Sequence, residues 1–276
     1  MIDQSAYAVG DVHGCLAPLH EALHRAGFAD GEGRWIAGTA HLWFLGDLTD
    51  RGPDGVGVLD LVMDLQRQAA EAGGEVGCLL GNHELMLLAA HLPAGSTARY
   101  SPQAAEMAHQ MFRERWVGNG GKEADSARLT PAHLAWIAAL PAMSLVGEHL
   151  LVHSDTNGYR NYGASVPEVN AAVAEILSGP VDLEQLDELT HMMTKRFSFA
   201  SDGGEAASAF LAEFGGRQLV HGHSPVPLLL GKDPQEVTGP LVYAGGYAAN
   251  FDTGTFLGGP CFVAPLPTTP RALLAG

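Results

Sequence analysis

Lysine is almost missing from this chain. Three occur in 276 residues, and the arginines raise the basic total only to 15, against 31 Asp and Glu and a formal charge of −16. So acidic a surface disfavours polyanions that must be gripped by many basic contacts, which excludes nucleic acid polymers and, for the same reason, an acidic membrane surface. The exception is an anion whose charge is met locally by metal ions. Long apolar runs are also lacking; none approaches the roughly 18 residues of a membrane span. Met1-Ile2-Asp3-Gln4-Ser5 carries no basic stretch leading into an apolar segment, so no secretory signal is expected. Cysteine is scarce: Cys15, Cys78 and Cys261 are odd in number and far apart, which makes no disulfide framework and points to a reducing, cytoplasmic setting. What the chain does have is 46% apolar residues, enough for a sizeable core, and thirteen histidines.

The apolar pattern alternates. Short runs at Ala6 to Val9, His41 to Leu45 and Val76 to Leu80 each stop at a glycine and read as strands. Leu16 to Ala26 and a segment opening near Pro53, with Val58, Leu61, Val62 and Leu65 on one face, read as helices. This β-α-β-α-β order predicts a mostly parallel sheet of the α/β class. Residues 85–140 read as helical, with Thr130-Pro131 as one helix start, and Ser165-Val166-Pro167-Glu168 opens another. Strands are expected over Met143 to Val146, Leu150 to His153, Gln218 to Val220 and, broken by glycines, Leu241 to Val263. Helices are expected over Leu183 to Leu189 and Ala206 to Phe214. One domain over 1–276 is the simplest reading, with 85–140 as a helical insertion and 265–276 as a loose tail.

Each early strand ends in a polar cluster: Gly10-Asp11-Val12-His13-Gly14, then Gly46-Asp47-Leu48-Thr49-Asp50-Arg51-Gly52, then Gly81-Asn82-His83-Glu84. Ligands in such sheets gather beyond the strands' carboxyl ends, so the three clusters should face one crevice. Asp11 and His13 stand two apart and point the same way in an extended segment. Asp47 can bridge two cations, Asn82 offers a neutral oxygen, and His153, His221 and His223 follow later strands. Mixed carboxylate and imidazole ligation suits Mn, Fe or Zn more than Ca or Mg. Singly, each cluster reads as a capped turn with surface charges; together, each after a strand, they point to a metal site. His41, His91, His109, His133, His149 and His191 are expected on solvated faces.

The strings GDxHG, GDxxDRG and GNHE, complete and in order, resemble the signatures of the calcineurin-like metallophosphoesterases, and within them the phosphoprotein phosphatase family of the bacterial and Shewanella-like type. Val220-His221-Gly222-His223-Ser224-Pro225 is similar to the GHTP segment of bacterial members, and Asn250-Phe251-Asp252-Thr253-Gly254 to their late D-T-G segment. The resemblance spans residues 6 to about 263. It implies a two-sheet α/β/β/α sandwich and two divalent metals, manganese first, with Fe, Zn, Ni, Co or Mg also open. Asp11, His13 and Asp47 would hold one; Asp47, Asn82, His153 and His223 the other. A hydroxide between them would attack phosphorus in line. His83 would protonate the leaving oxygen, oriented by Asp50, while Arg51 binds the phosphoryl oxygens together with Asn82.

The sequence departs from the family at three points. Eukaryotic members place an arginine before GNHE where Leu80 stands here. The usual His-Gly-Gly is His153-Ser154-Asp155, with an added carboxylate. In the third, a shifted reading makes His221 a metal ligand beside His223, though Pro225 favours His223 alone. Arg196, or failing it Arg99, Arg113, Arg115 or Arg160, is a candidate for the missing clamp. The expected function is hydrolysis of phosphomonoesters: phosphoserine, phosphothreonine or phosphotyrosine in a protein, or a small phosphoester. Symmetrical cleavage of diadenosine tetraphosphate is the alternative within enzymes, and a catalytically silent metal-binding scaffold the alternative outside them.

Overall fold

In the computed structural model, which describes residues 6–92, 96–97 and 99–266, the alternating pattern of the first ninety residues becomes a parallel sheet. Strands β1 (Ala6–Val9), β2 (His41–Phe44) and β3 (Glu75–Cys78) are joined by helices α1 (Leu16–Arg25) and α2 (Gly55–Ala72). Val9, Phe44 and Cys78 lie level across the ladder. The loops that follow the strands therefore leave from one edge of the sheet. A late strand, β9 (Ala264–Leu266), pairs antiparallel with β1 and completes the order β3-β2-β1-β9.

The second sheet is built from β4 (Met143–Val146), β5 (His149–Val152), β6 (Gln218–His221), β7 (Leu241–Tyr243) and β8 (Ala248–Asn250), in the order β4-β5-β6-β8-β7. Its three central strands are parallel to one another, with antiparallel edges. Side chains alternate faces along each strand, and the two faces enter different cores. Ala8, Trp43, Leu45, Leu151, Val220 and Ala249 form one cluster between the sheets. Their neighbours Val9, Leu42, Phe44, Leu150, Leu219 and Ala248 join the larger cluster under the helices. The result is the expected α/β/β/α sandwich.

Residues between β3 and β4 carry α3 (Asn82–Ala90), α4 (Pro102–Gly118), α5 (Glu123–Ser126) and α6 (Pro131–Ala138). Later helices are α7 (Val166–Leu177), α8 (Leu183–Met193), α9 (Glu205–Phe214) and α10 (Val226–Leu230). Thr130 and Ser165 cap as read, each accepting from the backbone N–H three residues on. Several boundaries move. Helix α2 opens at Gly55 rather than at Pro53, capped by Asp54, whose carboxylate accepts from Gly57 N. The third strand begins at Glu75 and ends at Cys78 rather than Leu80, and the fifth starts one residue early at His149. Pro265 and Leu266 are not tail but strand; residues 267–276, like the N-terminal five, lie outside the described residues. His133 and His149 are buried, against expectation. His133 is drawn in by the cap at Thr130 and a hydrogen bond from its Nε2 to Asp60 Oδ1 at 2.9 Å, and His149 by its place in β5. No helix among the described residues is long and apolar enough to cross a membrane.

The helical segment is fastened to the sheet's own helices by a cap supplied in trans. The buried carboxylate of Asp125, on α5, accepts from Gly55 N at 3.1 Å and Val56 N at 3.2 Å, the first two residues of α2. Those N–H groups have no partner within the helix. Asp125→Ala should therefore lower unfolding free energy by about 1–3 kcal/mol, the cost of stranding buried donors. Urea titration would measure it, and an unchanged midpoint would show that the cap contributes nothing.

Candidate metal centre

Seven non-glycine residues among those described adopt positive φ, and five of them are His13, Asp47, Asp50, Arg51 and His223. Backbone strain is thus concentrated in the predicted clusters, and something must hold it there. The main restraint is Glu84, for which the sequence suggested no role. Its fully buried carboxylate accepts from the backbone N–H of Asp47 at 2.7 Å, Leu48 at 2.9 Å, Thr49 at 3.2 Å and Gly81 at 3.1 Å. A side chain at Gly81 would put its Cβ 2.3 Å from Asp47 N, so only glycine lets the two loops meet. The usable signal was an acid in the first turn of a helix that follows a glycine.

The histidines are oriented by backbone carbonyls, which can only accept. His13 Nδ1 donates to Thr49 O at 3.1 Å, His153 Nδ1 to Leu45 O at 2.8 Å, and His223 Nε2 to Thr194 O at 3.2 Å. The remaining ring nitrogen of each is then a lone pair. His153 Nε2 points it at two further acceptors, Asn82 Oδ1 at 2.9 Å and Asp47 Oδ1 at 3.3 Å. His223 Nδ1 is buried with no hydrogen-bond partner, and so is Asp11 Oδ2, which lies 3.8 Å from His13 Nε2. Lone pairs facing lone pairs in a buried space call for cations. Two sets of ligand atoms lie within 4.8 Å of one another: His13, Asp47 and His83, and Asp47, His153 and His223. Asp47 belongs to both. The donor set therefore fits two divalent ions.

Charge tells the same story. Burial raises Asp11 above the usual carboxylate range, with Asp252 and Asp47 adding repulsion. Asp252, also unassigned from sequence, is pushed up to about 7 by burial, and its Oδ2 has no partner. Asp47 goes the other way: burial opposes its charge, but His153, His83, His13 and His223 together hold it below the ordinary value. Burial pushes His13, His153 and His223 down, toward the neutral form that ligates.

Beside these ligands His83 Nδ1 contacts Asp50 Oδ2 at 2.8 Å. Burial works against the imidazolium, yet Asp47 and Asp50 outweigh it and raise His83. Arg51 spreads its two terminal nitrogens to His13 Nε2 and His83 Nε2, each at 3.0 Å, with the guanidinium 4.4 Å above the Phe256 ring. The other candidates separate. Arg99, Arg113, Arg115 and Arg160 are tied to Asp182, Glu123, Asp187 and Glu213. Exposed Arg196 is in none of the ion pairs among the described residues, and its charge acts on His153, His223 and Asp252.

Two sequence readings are corrected. His221 does not join the ligands, because Nδ1 donates to Gly222 O and Nε2 accepts from Tyr243 Oη, both at 2.8 Å. Asp155 is no extra metal carboxylate: it accepts from Phe197 N at 2.8 Å and Ser224 Oγ at 2.9 Å.

Because Asp47 serves both sets, Asp47→Asn should reduce bound manganese below two ions per chain by elemental analysis. Retention of both would contradict a shared ligand.

The family model for calcineurin-like phosphoesterases matches residues 6–227. Shewanella-like protein phosphatase 2 of Arabidopsis thaliana is 39% identical over 79 residues, 29% of this chain and 20% of that protein. A symmetrical bis(5'-nucleosyl)-tetraphosphatase of Pseudomonas fluorescens is 34% identical over 119 residues, 40% of this chain and 37% of that protein. This chain thus spans well under half the length of either relative. Among solved structures, the cold-active protein-tyrosine phosphatase of a psychrophilic Shewanella species shares the fold, with a TM-score of 0.67 at 21% identity over 92% of this chain and 72% of that one. With its three motifs gathered at one rim and most of its length matched by the family model, this chain belongs to the calcineurin-like phosphoesterase family.

Proposed function

We propose that this chain is a dinuclear metal-dependent phosphatase that hydrolyses phosphomonoesters, with phosphoserine, phosphothreonine or phosphotyrosine as the substrate group. The observation that carries the reading is the pairing of His83 with Asp50, side by side with the Arg51 fork and beside the ligand atoms of His13, Asp47, His153 and His223. A scaffold that only stored metal would need the ligands and neither of the other parts.

Asp11, His13 and Asp47 would hold one ion, and Asp47, Asn82, His153 and His223 the other, with manganese as the first candidate. Divalent ions in such a site acidify water and absorb phosphoryl charge. The chain's own groups do the rest. The planar fork of Arg51 matches two oxygens of a phosphoryl group. Since Arg51 Nη2 lies 3.0 Å from His83 Nε2, an anion held by the fork is within reach of that imidazole. As it stands His83 Nε2 accepts from Arg51 Nη2; once the fork turns to a phosphoryl group, that nitrogen is free to carry a proton to the departing oxygen, while Asp50 on Nδ1 orients the ring and favours its charged form. Arg196 supplies a second positive charge toward the site, in place of the arginine that Leu80 replaces. A cavity of about 290 Å³ lined by Met86, Arg115, Asn119, Asp187, Thr190 and Thr194 offers room beside it for the rest of a substrate. Thr194 is the residue whose carbonyl receives His223.

The Pseudomonas fluorescens relative supports a second reading, symmetrical hydrolysis of diadenosine tetraphosphate. Manganese-loaded protein offered both substrates separates the two. Faster turnover of a phosphopeptide is expected; preference for the dinucleotide would overturn the first reading in favour of the second. Failure to cleave para-nitrophenyl phosphate anywhere between about pH 6 and 9, a span that brackets typical operating conditions for acid–base catalysis, together with no turnover of the dinucleotide, would favour the scaffold.

His83→Ala should keep both metals yet lose roughly 10²-fold or more in turnover. The loss should be smaller for esters with good leaving groups, which need less protonation. Equal loss on good and poor leaving groups, measured by steady-state kinetics, would count against the acid role.

A further inference from the structure

Helix α4 closes with Trp116-Val117-Gly118 and runs through its cap Asn119 into the turn Gly120-Gly121, where no site residue was expected. Trp116 is fully buried, its ring set edge-on against His91 at 4.9 Å. A buried tryptophan ordinarily serves packing, and its N–H takes whatever acceptor is near. Here that acceptor is Asp50. Indole Nε1 donates to Asp50 Oδ1 at 2.7 Å, while Oδ2 of the same carboxylate receives His83 Nδ1 at 2.8 Å. Both oxygens are thus committed, one to the helix and one to the imidazole, and the carboxylate cannot rotate without breaking a buried hydrogen bond.

The same turn reaches the fork. Gly120 O accepts from Arg51 N at 2.8 Å, at a residue whose φ is +61°. A Cβ on Gly120 would fall 2.7 Å from Arg51 Cγ, and one on Gly121 would fall 2.3 Å from the Trp116 ring. Neither position admits a side chain without displacing the part it holds.

We propose that the end of α4 is a positioning element for the phosphoryl site: Trp116, acting through Asp50, fixes the orientation of His83, and Gly120 holds Arg51 in its fork geometry. The proposal rests on the phosphatase reading and extends it to residues outside the three motifs. It assigns the helical segment between β3 and β4 a part in catalysis. Trp116 and Gly120 are positioning residues; neither touches the reacting atoms.

The test compares manganese-loaded wild type and Trp116→Phe on para-nitrophenyl phosphate, which has a good leaving group, and phenyl phosphate, which has a poor one. Metal content and KM should hold. kcat should fall about tenfold on phenyl phosphate and less than about threefold on the nitrophenyl ester, as expected when proton delivery is impaired. In an Asp50→Asn background the tryptophan change should add no further loss, because the two act as one unit. Gly120→Ala should instead raise KM and leave the ratio of the two esters unchanged. Equal loss on both esters for Trp116→Phe, or full additivity with Asp50→Asn, would overturn the proposal. Should Trp116→Phe fail to fold, site-specific replacement of the indole by benzothiophene keeps the shape, removes the N–H and faces the same criteria. If wild type cleaves neither ester, the phosphatase reading fails on its own. The positioning claim is then judged in zinc-loaded protein by the imidazole nitrogen shifts of His83: movement in Trp116→Phe, with His133 unmoved, supports it, and an unmoved His83 refutes it.

Discussion

Five carboxylates, Asp11, Asp47, Asp50, Glu84 and Asp252, are buried at one rim of the two sheets, and among the described residues Arg51 is the only guanidinium whose terminal nitrogens are hydrogen-bonded to ring nitrogens there, those of His13 and His83. Removing several like charges from water is costly unless opposite charge is delivered to the same place. The neutral state of His13, His153 and His223 makes the deficit larger, since those rings offer lone pairs in place of charge. Bound cations would close it. Metal binding and the integrity of this rim are therefore one free-energy problem, and the loops cannot be understood as turns that happen to be polar.

That rim is assembled from both sheets. The first supplies the loops after β1, β2 and β3; the second supplies His153 and His223 beyond β5 and β6. Hydrogen bonds sew them together: His153 reaches Leu45 O, and His223 N donates to Asp11 Oδ1 at 2.9 Å. Glu84 then fixes the strained backbone of the Asp47 loop from below, with four main-chain N–H groups on one carboxylate. Ligands held this way lose little freedom when an ion or a substrate arrives, which is the physical content of preorganisation.

The overall charge of −16 is no obstacle to an anionic substrate on these terms. Arg99, Arg113, Arg115 and Arg160 are neutralised locally by acids. Positive charge is kept for the rim, where Arg51, Arg196 and the cations implied by the donor set would meet a phosphoryl group. Screening limits the acidic surface to short range, whereas charges within a buried rim act at close quarters and low dielectric.

Much of this was legible before any coordinates. Strand ends, glycine stops and the order of the three motifs carry local information, so the parallel core of the first sheet and Asp11, His13, Asp47, Asn82 and His83 were read from spacing and resemblance. Boundaries slipped where local signals compete: α2 starts at Gly55 behind the Asp54 cap rather than at Pro53, and β9 takes residues that looked like tail because pairing with β1 is a long-range gain with no local signature. His221 and His223 are two residues apart at the same strand end; Pro225 favoured His223 but gave no physical reason, which the fold supplies, since the hydroxyl of Tyr243, far along the chain, takes His221 and the carbonyl of Thr194 turns His223. Trp116 has an ordinary local context, Glu84 and Asp252 stand in motifs without an assigned role, and only the tertiary fold shows what each faces. The sequence by itself determined which chemistry is available and which loops carry it, because residue type and strand register are local. Which nitrogen of each imidazole is free, which arginine is unpaired and what holds Asp50 against His83 were decided by contacts between distant segments, and those exist only once the two sheets have closed on one another.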